Sequence, residues 1–447
     1  MSAIKRISIW IAIVIPPLSF YVLLARSLMR FPLYDDYHAI LGFLLQWKQE
    51  SGIRRIAEIL TYQHNDYRCM FANAIVGVQY SILGHTDLKT LQIIGDLFVI
   101  PLFGVLYLIW RECGRPHDYT LLAFVPVSWI LFQLQYEGTL NFAISGLQCI
   151  PVILFALLTC YLATKAGRAA FIGTILSLLL SVASYADGLF LIPIGVIIYL
   201  QRREFKRLAA WCCCSMLACL VYFYGYDFTV EVVHSNSNNV ILNIFQHLSP
   251  AYALAFLGDI AAIRNPLPAV LYGIVLVGVL IYATWDRLFE RRPALYYSAL
   301  FFLFTGVAVS GHRSSLGIVT AMNSPYRINS TVLTILLYLY LADRFYGARI
   351  RPLIFKTCAC IFGVLLVGFN FASNRGGEKV LLIKRHKVDV AMLRWERHEP
   401  RPPIIVSSSD DLTADSEKRG TFEPIEPTLS QSIREDIYKL PELPMGY

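Results

Sequence analysis

KRISIWIAIVIPPLSFYVLLARSLMRFPLYDDYH, residues 5–38, decides how the chain is read. A basic pair, Lys5 and Arg6, precedes an apolar run from about Ser8 to Leu24, and two adjacent carboxylates, Asp35 and Asp36, follow soon after it. No convincing small-residue cleavage site ends the run, so it reads as a retained membrane span and not as a signal peptide.

Working outward, comparable apolar runs recur as far as Phe371 with basic clusters between many of them. A span needs about 20 predominantly apolar residues. The 447 residues are 56% hydrophobic, 13% aromatic and only 16% charged, a composition outside the usual range of soluble domains. These features predict an all-α, polytopic membrane protein. The net charge of +8 is scattered in small groups at helix ends, which reads as topology and argues against nucleic acid as a partner. The ten cysteines lie mostly in apolar segments, as in Trp211-Cys-Cys-Cys-Ser215, without paired zinc spacing or a disulfide ladder.

The spans are expected near 8–26, 88–110, 119–136, 142–164, 169–184, 187–201, 208–226, 267–285, 294–311, 329–342 and 353–371, about eleven in all. With the N-terminus in the cytoplasm, the inner segments carry Lys5/Arg6, Arg111/Arg115, Lys165/Arg168, Arg202/Arg203/Lys206/Arg207, Arg287/Arg291/Arg292 and Arg344/Arg349/Arg351/Lys356. The short outer connections around Glu137 to Asn141 and Ala186 to Gly188 have no Lys or Arg, the asymmetry of the positive-inside rule. Two apolar segments must then stay on the outer face without crossing: Cys69 to Leu83, and Phe245 to Ile263. From Ala372 the composition turns to charge, Pro, Ser and Glu. Residues 1–371 therefore read as a membrane domain and 372–447 as a polar external extension, partly disordered, with a small cap over an outer cavity as the alternative.

The first outer segment holds the strongest chemical signal. Asp35 and Asp36, among Phe31, Leu33, Tyr34 and Tyr37, are the expected catalytic carboxylates: partial desolvation would raise their basicity, and their mutual repulsion would favour a shared proton or a divalent cation. The bland reading is a capping pair at a helix N-terminus. His64, Asp66 and Arg68 form a second polar cluster, expected to bind substrate hydroxyls or to position the aspartates. At most two zinc ligands come from His64 and Asp66. Glu137, Asn141, Gln148, Asp187, Arg264, His312, Arg313, Tyr326 and Arg327 reach the same face from distant parts of the chain and are expected to line a substrate site. Arg327 is the expected partner of a phosphate, since a guanidinium offers bidentate hydrogen bonds. Asp96, deep in the second span, is either the floor of a wet cavity or a structural hydrogen-bonding residue.

This order of features resembles the C-type superfamily of membrane glycosyltransferases over roughly residues 1–345. The resemblance is carried by Asp35-Asp36 after one span, Gln63-His-Asn-Asp-Tyr-Arg68, where bacterial members often read H-x-E-H-R, the Asn141 to Gln148 spacing, and Ser184-Tyr-Ala-Asp-Gly-Leu189. It implies a polyprenyl-phosphate-linked sugar donor, a glycan, lipid or protein acceptor, Asp35 as general base or metal-linked organiser, and a site on the periplasmic face of a bacterial inner membrane, in cell-envelope glycan modification. The Asp66-Tyr-Arg68 spelling departs from the family's usual His before Arg. A multispan transporter or lipid flippase, an O-antigen ligase or polymerase, and a scaffold without enzymatic activity are the competing classes.

Overall fold

An apolar run in lipid can satisfy its backbone polar groups only within itself, so it forms a helix, and helices dominate the chain. The computed structural model describes residues 3–65, 67–228, 248–262, 265–346, 352–396 and 425–441. Seven helices among them are long and apolar enough to cross a membrane: Ala3–Ser27, Leu88–Arg111, His117–Leu140, Ala143–Ala163, Phe205–Phe223, Pro266–Trp285 and Pro293–Leu316. Arg168–Ser184 and Ala186–Gln201 are apolar but shorter, and Arg327–Phe345 is interrupted at both ends by charge. A multi-pass helical membrane protein follows from the seven. Trp10, Ile11, Ile15 and Leu18 on the first helix, and Leu271, Ile274 and Ile281 on another, turn outward to where lipid would cover them.

Helix Ala143–Ala163 is the axis of the bundle, buried along most of its length and packed against Leu88–Leu97, Arg168–Ser184 and Pro293–Arg313. The loops expected inside meet at one end. There Arg115 pairs with Asp343 at 2.8 Å and Arg292 with the same carboxylate at 3.6 Å. Arg344 approaches Asp286 at 3.4 Å, Lys165 pairs with Glu112, and Arg6 reaches Asp118 at 3.0 Å.

Both segments expected not to cross form short helices. Met70–Leu83 has 14 residues, about 21 Å of helix against a hydrocarbon core of about 30 Å. The second is described only as helix Pro250–Leu257 and a 3-10 turn at Asp259–Ala261.

The expected boundary at Ala372 is not where the structure changes. One helix of 45 residues runs from Pro352 to Glu396, about 68 Å, more than twice the hydrocarbon core. Asn370 on this helix donates to the carbonyls of Trp129 and Phe132, and Asn374 accepts from the Leu134 N–H. Farther along, Lys384 meets Glu137 and Arg385 donates to the Arg26 carbonyl. Residues 425–441 then dock instead of trailing away. Leu429, Ile437 and Tyr438 are buried in one cluster with Tyr37, Ile40, Phe43 and Leu44. The Thr86 N–H donates to the Ile437 carbonyl at 2.8 Å, and the Tyr438 hydroxyl donates to the Arg30 carbonyl at 3.0 Å.

Candidate functional site

The site lies at the bundle end opposite the basic loops and begins at a strained turn. Tyr34 has φ of +49°, sparsely populated for a side chain of its size, and its ring packs edge-on against Phe142. The chain then enters a π-helical stretch, Asp36–Gly42, and the two aspartates part company.

Asp36 points inward and is fully buried. Its Oδ1 accepts from the Ile144 N–H at 2.9 Å, and its Oδ2 accepts from Leu33 at 3.1 Å and Ala143 at 3.4 Å. It thus caps the central helix Ala143–Ala163 from more than a hundred residues away in sequence. Burial pushes its carboxyl up to about 7 against the pull of those three N–H groups, with Asp35 adding to the rise. With both oxygens engaged, Asp36 does not fit the shared divalent site expected at the pair, and among the described residues no group of three His, Cys, Asp or Glu side chains is placed to hold a metal ion.

Asp35 keeps 38% of its side-chain surface open. The Tyr67 hydroxyl donates to its Oδ2 at 2.9 Å, and His64 Nε2 lies 3.6 Å from its Oδ1. Burial is the largest single influence on this carboxyl and pushes it up, but hydrogen bonding and charge from His64, the Tyr67 hydroxyl and the Arg313 charge together hold it below the ordinary value. The expected rise in basicity is therefore reversed by its neighbours. Tyr67, which the sequence reading did not single out, is kept protonated by burial and by Asp35. The two-residue strands Gln63–His64 and Tyr67–Arg68 pair antiparallel and so put His64 and Tyr67 on the carboxylate together. That pairing, in a segment with no strand-like alternation, left no signal in the sequence.

Arg313, at the end of helix Pro293–Arg313, extends its charge to both Asp35 and Asp187 and lies 5.7 Å over the Tyr326 ring. Tyr185, beside Asp187, packs its ring against Tyr67 at 5.3 Å. Asp35, His64, Tyr67, Asp187, Arg313 and Tyr326 are thus brought into one neighbourhood. His312 is exposed next to it.

Other expected site residues are engaged elsewhere. Arg327 donates from Nη2 to Asp259 at 3.1 Å and from Nη1 to the Gln135 carbonyl at 2.9 Å. This pair, of a partly buried guanidinium with a fully buried carboxylate, ties two segments together and leaves the guanidinium's fork already filled. Burial pushes Asp259 up to about 7 against the pull of Arg327. Glu137 accepts from Ser324 at 2.6 Å and meets Lys384 at 3.5 Å. Gln148 donates to Cys69. Arg68 is fully buried, with Nη1 near the Val221 carbonyl and its guanidinium over the Tyr226 ring. Asn141 is buried with both side-chain polar atoms unpartnered. Asp66 and Arg264 lie outside the described residues.

An apolar groove of about 550 Å³ runs along helix Met70–Leu83, lined by Phe71, Ile75, Val78, Ile82, Thr90 and Ile94 among others. Its Phe71 end is four residues from Tyr67. Compared with known proteins, the chain matches no family model and no curated protein.

Proposed function

We propose that this protein is a membrane glycosyltransferase that moves a sugar from a polyprenyl-phosphate donor to an acceptor hydroxyl at the Asp35 end of the bundle. The observation that carries the reading is the division of the aspartate pair. Asp36 is committed to the fold, while Asp35 stays open, anionic and fixed by Tyr67 and His64 beside the cation Arg313.

In the proposed reaction the acceptor oxygen attacks the anomeric carbon, its proton passes to Asp35, and the bond from that carbon to the phosphate oxygen breaks with the electron pair leaving on phosphate. A carboxylate held below its ordinary value is a weak base, and it suits a late proton transfer from a hydroxyl already acidified by attack on an electron-poor carbon. Arg313 takes the role of meeting the charge that grows on the phosphate, the role expected of Arg327 from the sequence. The apolar groove along Met70–Leu83 suits an isoprenoid chain. The acceptor class remains a glycan, lipid or protein, and the setting we assign is the periplasmic face of a bacterial inner membrane, because the basic loops gather at the other end.

The test is sugar transfer by purified protein from polyprenyl-phosphate donors, comparing wild type with Asp35→Asn and Arg313→Gln. Loss of roughly 10²–10⁴-fold in turnover is expected for Asp35→Asn with its fold intact. Near wild-type turnover by that variant would overturn the assignment. The transporter reading is favoured by one observation, the ionisable Asp96 buried inside a span. Solute movement without consumption of lipid-linked sugar would put it first.

A further inference from the structure

Asp96 serves neither the polar contacts of the fold nor the proposed transfer. It lies eight residues beyond Leu88, about 12 Å into its helix, and is 2% exposed. Both of its carboxylate oxygens lack a hydrogen-bond partner. Among the described residues, Tyr21 and Tyr136 feel its charge, and neither hydroxyl is aimed at the carboxylate. Tyr21 donates to the Asp96 backbone carbonyl at 3.0 Å and Tyr136 to the Leu131 carbonyl at 2.7 Å.

The end of helix Ala143–Ala163 passes close by but offers little. Its Ala143 and Ile144 N–H groups are taken by Asp36, and Gly146 donates to the Phe142 carbonyl. A carboxylate at this depth without donor or counter-charge is costly, so the group must be neutralised, by a proton or by a bound cation.

Independent features of the packing make room for one. Gly95 and Gly146 bring their helices so close that a Cβ on Gly95 would lie 2.8 Å from the Gly146 carbonyl carbon. A Cβ on Gly146 would lie 3.9 Å from Asp96 Oδ1 and 3.3 Å from the Thr139 carbonyl oxygen. The missing side chain therefore leaves a small volume that carboxylate and carbonyl both face.

We propose that Asp96 and the Thr139 carbonyl, facing the volume left by Gly146, form a binding site for a dehydrated monovalent alkali cation, with Na⁺ as the probe. One carboxylate balances one charge. Oxygen-only ligation suits a hard cation, and the absence of nitrogen or sulfur donors from this set disfavours a transition metal. A proton on Asp96 would give a single O–H and satisfy one of these oxygens, whereas a cation contacts several together. The site is separate from Asp35, and its test does not use sugar transfer.

The measurement is the thermal midpoint of the purified full chain as NaCl replaces choline chloride at constant ionic strength, between pH 6 and 9. A ligand that binds only the folded state raises the midpoint by mass action. We expect a saturable rise with Na⁺, larger at high pH where protons compete less, and a smaller one with K⁺. Asp96→Asn should abolish the response. Gly146→Ala, which fills the shared volume, should shift its half-saturation at least about tenfold by the same mass action. A wild-type midpoint indifferent to Na⁺ across the range overturns the site even if Asp96→Asn does not fold. So does an equal Na⁺ response in Asp96→Asn, or a wild-type response to pH alone, which would leave Asp96 holding only a proton.

Discussion

Removing the Asp36 carboxylate should loosen the Asp35 end of the bundle, and the loss should depend on pH in a direction fixed by its burial. Asp36→Ala orphans the N–H groups of Leu33, Ala143 and Ile144. Losing a helix cap costs about 0.5–2 kcal/mol, and a buried N–H left without an acceptor costs about 1–3 kcal/mol. Together these give about 1.5–5 kcal/mol near pH 5. The folded carboxyl sits at about 7 against an ordinary 3.8, so the folded state binds the Asp36 proton more tightly than the unfolded chain does. Its contribution is fully present below pH 3.8 and is lost as pH rises through about 7, with a ceiling on the order of 4 kcal/mol at 1.36 kcal/mol per pH unit. Wild type should therefore lose stability between pH 5 and 8 relative to Asp36→Ala, and the gap between them should narrow. Thermal unfolding in detergent at several pH values, followed by tryptophan fluorescence, reads this directly. A gap that is constant with pH, or one that widens toward pH 8, would refute the reasoning.

Breaking the Arg327–Asp259 pair should destabilise the protein more than it alters transfer: Arg327→Met leaves a buried carboxylate alone and should cost about 3–5 kcal/mol, while Arg327→Met with Asp259→Leu should regain much of it in the same unfolding assay. If the single variant folds as well as wild type but loses transfer, Arg327 acts on substrate after all. A stop after residue 424 uncovers the apolar cluster around Tyr37, Ile40 and Phe43 by removing Leu429, Ile437 and Tyr438. We expect a lower thermal midpoint and faster proteolysis of the 31–47 segment, and an unchanged cleavage pattern would show that the docked tail does not support it.

What was legible in the sequence follows from which signals are local. Apolar runs and the basic groups between them are one-dimensional, and the basic loops at 111–115, 165–168 and 287–292 do meet at one end of the bundle. The His64 neighbour of Asp35 was within reach because both lie in the first polar segment after the opening span, where His64 reads as a group that could position an aspartate. Asp36 was not, since its capping partners lie 107 and 108 residues away. Nor was the role of Arg327, whose carboxylate partner Asp259 sits inside a segment that reads as apolar. At Ala372 the composition changes and the helix does not, for a different reason. Composition reports the solvent around a helix, and helix Pro352–Glu396 keeps its backbone hydrogen bonds while passing from an apolar to a polar stretch of sequence.

Two neighbouring carboxylates can do different work only if the backbone turns between them, and the strain at Tyr34 belongs to that turn. The Leu33 carbonyl accepts from the Asp36 N–H at 3.0 Å while the Leu33 N–H donates back to the Asp36 side chain, which closes a tight loop with Tyr34 and Asp35 at its tip. A left-handed tyrosine is unfavourable by itself and persists only where surroundings over-determine it. Here Phe142 packs on its ring, Asp36 fastens the loop to the central helix, and the docked Ile437 and Tyr438 back the π-helical stretch that follows. Asp35 is thus positioned by contacts to two separate parts of the chain, residues 142–144 and 437–438, neither of which touches its carboxyl. That arrangement makes Asp36 a positioning residue, and it implies that Asp36→Ala should displace Asp35 and lower activity in proportion to the local loosening, whereas Asp35→Asn should lower it by roughly 10²–10⁴-fold with the fold unmoved.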